Sequence, residues 1–175
     1  MNADFSAALV GLALGALLVF LGIQAYAIWQ KKKGQHEQQV EAFKVLLPLR
    51  LQAYERMVLF LERMTPDQLI SRMPEDGRDG PAWFAQQWIV QSVREEYQHN
   101  ITQQVYIEEA TWLKIKEAVD QQIWQVNQVQ NSLPGDATGR VLLRQWISYR
   151  LEQPNFLEEA LSSLRADMKK QWMGQ

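Results

Sequence analysis

The chain has 175 residues, with 18 basic and 20 acidic side chains, a formal net charge of −2 and no cysteine. Without cysteine there is no disulfide framework, no thiolate zinc site and no thiol catalysis. A balance this close to neutral argues against a phosphate-tracking surface, so no nucleic-acid partner is expected.

The first element is Phe5 to Trp29, which contains no charged residue and is unbroken apolar or glycine from Ala7 to Ile23. As a helix it reaches about 37 Å at roughly 1.5 Å per residue. The hydrocarbon core of a bilayer is about 30 Å thick, so the stretch is long enough to span it with some tilt. The residues before it, Met1 to Asp4, lack the basic start of a secretory signal, and the apolar run is longer than a signal core. The pattern therefore predicts a retained anchor. Tyr26 and Trp29 are amphipathic rings suited to the headgroup level, and Lys31, Lys32 and Lys33 follow at once. Positive flanks stay on the cytoplasmic side, which places the N-terminus outside and the remainder inside. The expected organisation is a short extracytoplasmic end at 1–4, a transmembrane helix at 5–29, a basic juxtamembrane linker at 30–36 and a cytoplasmic α-helical domain at 37–175.

Ala7, Gly11 and Gly15 fall on one face of that first helix. Small residues at this spacing let two backbones approach closely, so they are candidates for association within the membrane, although glycine and alanine are common in any spanning helix.

Setting aside Asp4 and the three lysines leaves 15 basic and 19 acidic residues in 34–175, a net charge near −4. Gly34 is the only breaker before the next helical pattern, and one glycine costs a helix only about 1 kcal/mol, so the two helices are expected to be nearly continuous. From Gln35 to Met64, the residues Val40, Phe43, Leu47, Leu51, Tyr54, Val58 and Leu61 recur at spacings of three and four. Pro48 inside this run predicts a kink or a division near Leu47.

Thr65-Pro66 with Gln68 reads as a capping box that starts a short helix. Pro74 to Gly80 is polar, carries two glycines and reads as the most mobile internal loop. A second long helix follows at about 82–104, with Phe84, Trp88, Val90, Val93, Tyr97, Ile101 and Val105 on its apolar face. A third runs from about Glu109 to Asn131, carrying Trp112, Ile115, Val119, Ile123 and Val126. Asp136 is a candidate cap for a fourth helix that ends before Pro154. Asn155 and Glu158 form a capping-box pattern for a last helix striped by Leu157, Leu161, Leu164, Met168 and Trp172. No stretch alternates with the period of two that a half-buried strand needs. The expected fold is all-α, a single N-terminal transmembrane helix followed by a bundle of about five helices. The many tryptophans are expected mostly in core or rim packing.

Two blocks carry a resemblance. Leu51-Gln52-Ala53-Tyr54-Glu55-Arg56 with Leu59 to Arg63 forms the first, and Glu96 to Tyr106 followed by Trp112 forms the second. Together they resemble a family of uncharacterised bacterial single-pass membrane proteins. The resemblance implies a short outer end, one spanning helix and a helical cytoplasmic domain at a bacterial inner membrane. It implies no activity and no functional residue.

Glu96 and His99 stand at i and i+3 on one helix face, a pairing that recurs as a ligand unit in carboxylate-bridged metal bundles. Such a site needs two of these motifs and further carboxylates. This chain has one, and its other histidine is His36. The competing reading is a polar inter-helix cluster: Glu55, Arg56 and Arg63 on one helix facing His99, Asn100, Gln103 and Gln104 on another. Buried polar groups need partners or each costs about 1–3 kcal/mol, so such clusters fix helix packing. No motif frames a serine nucleophile and no glycine-rich phosphate loop follows a strand. No catalytic residue and no cofactor is assigned. The reading is a membrane-anchored interaction or scaffold module that binds itself or a membrane-protein partner. The alternative is a metal-binding or enzymatic bundle centred on Glu96 and His99.

Overall fold

The computed structural model describes the backbone of residues 2–173, and the side chains within it at all positions except 2–10, 12–14, 16, 35–39 and 172–173. Among the described residues the fold is all-α. In chain order it has α1 (Asn2–Arg63), α2 (Pro66–Arg72), α3 (Glu75–Asp79), α4 (Ala82–Asn100), a 3-10 turn (Ile101–Tyr106), α5 (Glu109–Ser132), α6 (Gly139–Leu151) and α7 (Phe156–Met173). The chain divides into two units, Met1–Pro48 and Leu49–Gln175.

The first unit is helical throughout its described length. Gly34 does not interrupt it, and the expected linker at 30–36 is helix. The helix also continues through Pro48, where the two units part. Leu17, Leu18, Val19, Phe20, Leu21, Ile23, Tyr26, Ile28 and Trp29 are each more than half exposed. Among the described residues no helix is long and apolar enough to cross a membrane. The stretch 5–29 read as a span includes positions 5–10, 12–14 and 16, whose side chains lie outside the described residues.

The second unit has a largely apolar core. The end of α1 buries Ala53, Tyr54, Met57, Phe60, Leu61 and Met64, which recur at helical spacing. α4 contributes Ala82, Ala85, Ile89 and Val93 to the same cluster. α5 packs against α4, α6 and α7, and buries Ile115, Ala118, Val119, Val126 and Val129. Leu142 and Trp146 from α6, and Leu157, Ala160, Leu161 and Leu164 from α7, complete the cluster.

On α5, α6 and α7 the apolar stripes are buried as the spacing predicts, at Ile115, Val119, Val126, Leu142, Trp146, Leu157, Leu161 and Leu164. On α1 and α4 they lie about one position away, with Tyr54, Leu61 and Val93 shared. Val58, Trp88 and Val90 are half-buried at the edge, whereas Ile101 and Val105 are exposed. The fully buried positions beside them are Ala53, Met57 and Phe60 on α1, and Ala85 and Ile89 on α4. The tryptophans divide likewise: Trp146 is fully buried, Trp88 and Trp112 are half-buried, and Trp83 and Trp124 are about half exposed.

The stretch Pro74–Gly80 is not a free loop. It forms α3 and is clamped to the start of α6. Ala82 N–H donates to Ala137 O at 2.8 Å, Gly139 N–H donates to Gly80 O at 2.8 Å, and Pro81 faces Thr138 in an antiparallel bridge. A Cβ on Gly139 would lie only 2.1 Å from the Gly77 carbonyl oxygen, so glycine is demanded there by close backbone approach. Arg140 and Asp79 form an ion pair across the same junction.

The caps also differ in part. Thr65 Oγ1 donates back to Glu62 O at 2.9 Å instead of capping α2. The residue before α6 is Thr138 rather than Asp136. Asn155 does cap α7, with Oδ1 accepting from Glu158 N–H at 3.3 Å.

Candidate functional site

The sharpest polar feature of the second unit is built around Glu96. Its side chain is only 17% exposed, and its Oε1 takes Arg63 Nη2 at 2.6 Å and Arg72 Nη1 at 2.8 Å. Arg72 also donates through Nη2 to Arg63 O at 2.6 Å and through Nε to Gln68 O at 3.1 Å. One guanidinium therefore ties the C-terminal end of α1 to α2 and α4. A cation there also meets the negative end of the α1 dipole. The next carbonyl, Met64 O, accepts from Gln122 Nε2 at 2.6 Å, so α5 grips the same helix end. These bonds satisfy carbonyls that a helix terminus otherwise leaves orphaned.

The expected polar cluster forms only in part. Arg63 reaches α4, but through Glu96. Arg56, Glu55, His99 and Gln104 are exposed, and no hydrogen bond or ion pair joins Arg56 to His99 among the described residues. His99 Nδ1 lies 2.7 Å from Glu95 O, which makes it a donor to its own helix. Asn100 Nδ2 donates to Glu96 O at 2.8 Å, again within the helix. Gln103 is buried and donates to Thr102 Oγ1 at 3.2 Å. The end of α1 and α4 are joined by Arg63 and Glu96, with Arg72 of α2 on the same carboxylate. Arg72 was missed because α2 is short and contributes through a single long side chain.

Glu96 and His99 are engaged elsewhere. The Glu96 carboxylate is shared by two guanidinium groups, and the His99 ring faces Glu95 O. Among the described residues no group of three or more His, Asp or Glu side chains is placed to hold a metal ion.

A second polar node joins the start of the unit to its end. Asp167 is 3% exposed, and its Oδ2 accepts Glu108 N–H at 2.9 Å, at the N-terminus of α5. Gln171 bridges it to α1: its Nε2 donates to Asp167 Oδ1 at 2.8 Å, and its Oε1 accepts from Arg50 Nη1 at 2.9 Å. The Tyr54 hydroxyl sits beside Asp167 without closing a hydrogen bond of good geometry. Burial, reinforced by the adjacent carboxylate, pushes the Tyr54 phenol well above its ordinary range. This node is a structural lock, with a buried carboxylate held at a helix start.

Two open clefts lie on the surface of the unit. One, of about 260 Å³, is lined by Arg94, Tyr97, Gln98, Lys116, Asp120 and Ile123 between α4 and α5. The other, of about 470 Å³, is lined by Gln128, Ser132, Gln145, Ser148, Tyr149 and Glu152 between α5 and α6. Tyr97 stacks on Trp112 at 5.8 Å, so its ring serves the packing of α4 on α5.

In the first unit, Tyr26 and Trp29 stack at 6.1 Å, and Lys33 Nζ lies 5.5 Å from the Trp29 ring centre. Lys31 and Lys32 are exposed beside them. A Cβ added at Gly11 or Gly15 would meet nothing within 4 Å, while the side chain of Ala7 lies outside the described residues.

The chain belongs to a family of unknown function, DUF7935. The family model matches residues 3–171, so DUF7935 takes in both units and both sequence blocks noted above. No curated protein and no solved structure matches the chain.

Proposed function

We propose that this DUF7935 member is a single-pass protein of the bacterial inner membrane. Its N-terminus faces outward, and its helical C-terminal unit is an interaction or scaffold module on the cytoplasmic side. The observation that carries this reading is the surface of residues 17–29. Gln24 is the one polar side chain among them, the nine large apolar ones are each more than half exposed, and Lys31, Lys32 and Lys33 follow the run. A helix apolar on all faces is stable when other apolar matter covers it, and a bilayer supplies that cover. The uncharged sequence from Phe5 to Ala16 extends the run toward the length of a span. The ring pair Tyr26 and Trp29 next to the lysines fits the interface level.

Binding to a second copy, or to another membrane protein, is favoured by Gly11 and Gly15. Their own chain does not require them to be glycine, since a side chain there meets open space. A partner helix lying close against Ala7, Gly11 and Gly15 gives the small residues a use. Nothing comparable favours the metal-binding reading, because Glu96 is already neutralised by Arg63 and Arg72.

Alkaline carbonate extraction of envelopes carrying the full-length chain tests the anchor. Retention in the pellet is expected, and release into the supernatant overturns the proposal. Protease added to right-side-out spheroplasts should leave the C-terminal unit intact. Cross-linking of Gly11→Leu and Gly15→Leu variants in detergent should lose any dimer that the native chain forms.

A further inference from the structure

The larger of the two surface clefts, between α5 and α6, has a wall of one chemical kind. Gln128 and Ser132 line it from α5, Gln145, Ser148 and Tyr149 from α6, and Glu152 from just past the end of α6. Among the described residues no lysine, arginine or histidine lines it, whereas the other cleft carries Arg94 and Lys116. Gln128, Gln145, Ser148 and Glu152 are exposed, so their polar atoms are open to a ligand. Each amide offers two donors and an acceptor, each hydroxyl one donor and two acceptor sites, and the carboxylate acceptors alone. Ser132 Oγ already donates to Val129 O at 2.8 Å, which leaves it able to accept. Trp124 lies one helical turn before Gln128 and is 47% exposed, with its ring centre 6.4 Å from that of Tyr149 and the planes at 53°. An indole this open leaves apolar area in water beside the hydrogen-bonding wall.

That combination selects against most ligand classes. A hydrocarbon would take water from the amides and hydroxyls and give nothing back. A phosphate or carboxylate would meet Glu152 with no cation in the wall to offset it. A proline-rich segment brings carbonyl acceptors and no N–H, so Glu152 would find no donor. A sugar ring matches the wall: its neighbouring hydroxyls both donate and accept, and its C–H face is apolar enough to cover an indole. The volume of about 470 Å³ falls within the range of small-molecule sites, about 300–1,000 Å³. We propose that the α5–α6 cleft binds a neutral saccharide of one or two rings, its hydroxyls held by Gln128, Gln145, Ser148 and Glu152 and a C–H face laid on Trp124. The site goes beyond the proposed function and does not depend on the membrane reading, since every residue in it belongs to 49–175.

The test is saturation-transfer NMR and isothermal titration on the full-length chain in a polyoxyethylene ether detergent, which has no sugar headgroup. Glucose, galactose, maltose and cellobiose are the probes, with glucose 6-phosphate and a hexaproline peptide as contrasts. At least one neutral sugar should bind saturably and take up saturation at its ring C–H protons. Trp124→Ala should remove that C–H signature and weaken binding by roughly three- to tenfold. Gln145→Ala should weaken binding by a similar factor, roughly three- to tenfold, while the C–H signature persists in the bound fraction. Arg94→Gln, in the other cleft, should leave the affinity unchanged. If Trp124→Ala does not fold, Gln145→Ala and Gln128→Ala, both at exposed positions, decide the matter. No saturable binding by any of the four sugars overturns the proposal. So does binding that these variants leave unaltered, binding of glucose 6-phosphate that exceeds that of glucose, or binding of the peptide alone. Carbonate extraction is unaffected by these variants, so failure here is distinct from failure of the proposed function.

Discussion

Phe20 and Phe60 sit on the same helix element, yet the first is 57% exposed and the second 1%. Leu17 to Ile23 and Ala25 to Trp29 are apolar or glycine with Gln24 alone between them, and so cover every face. Those of 53–64 recur at three and four, and so cover one. Only the second pattern can be buried by neighbouring helices while its polar side stays wet. The two regions therefore use apolar side chains for different ends. In 49–175 they hold the chain to itself, and in 17–29 the large ones stay more than half exposed.

Paired substitutions put this contrast at risk. The largest effect is expected at Phe60→Ala, which should destabilise the C-terminal unit by about 3–5 kcal/mol in chemical unfolding. Phe20→Ala should leave that transition in place, within about 0.5 kcal/mol. A comparable loss from both would erase the distinction. Next come the glycines. Gly139→Ala forces a methyl against the Gly77 carbonyl and should cost about 1–3 kcal/mol or more. Gly34→Ala, with open space around its Cβ position, should instead strengthen its helix by up to about 1 kcal/mol, read as slower amide exchange over 30–38.

Glu96→Ala should cost about 1–2 kcal/mol, because it strips the shared carboxylate from two arginines of which one is largely solvent-screened. Glu55→Ala, at an exposed position, should change little. The smallest effect at neutral pH is at Tyr54→Phe, which removes a hydroxyl without a good partner. Its signature is at high pH. The folded phenol ionises above the ordinary value of 10.0, so the unfolded chain releases that proton first. The stability it carries is complete below pH 10 and falls as pH rises past it, by at most about 1.4 kcal/mol per pH unit. Alkaline unfolding of Tyr54→Phe should lack that component.

The sequence disclosed the fold class and the long helices well, because periodic apolar spacing is a local property. α5 begins at Glu109 as the pattern predicts and ends one residue later, at Ser132, and Asn155 caps α7 as its side chain suggests. What stayed hidden depends on contacts between distant positions. Nothing local to Pro74–Gly80 announces that its backbone pairs with 137–139, and glycine-rich polarity normally signals a free loop. At the Glu96 junction, one end of the interaction was legible in the spacing of α1 and α4. Arg72 was not, since its role comes from the turn at 64–65 that brings α2 back over α1.

The backbone clamp between 80–82 and 137–139 also decides where the protein can be handled. It closes α4 and α5 into a ring whose two ends are stitched together, so an epitope inserted near Gly77 or Gly139 would pry the stitch open. The 3-10 turn on the opposite bend of that ring carries Val105, 78% exposed, and offers a place to graft a fluorophore or affinity handle with the fold left whole.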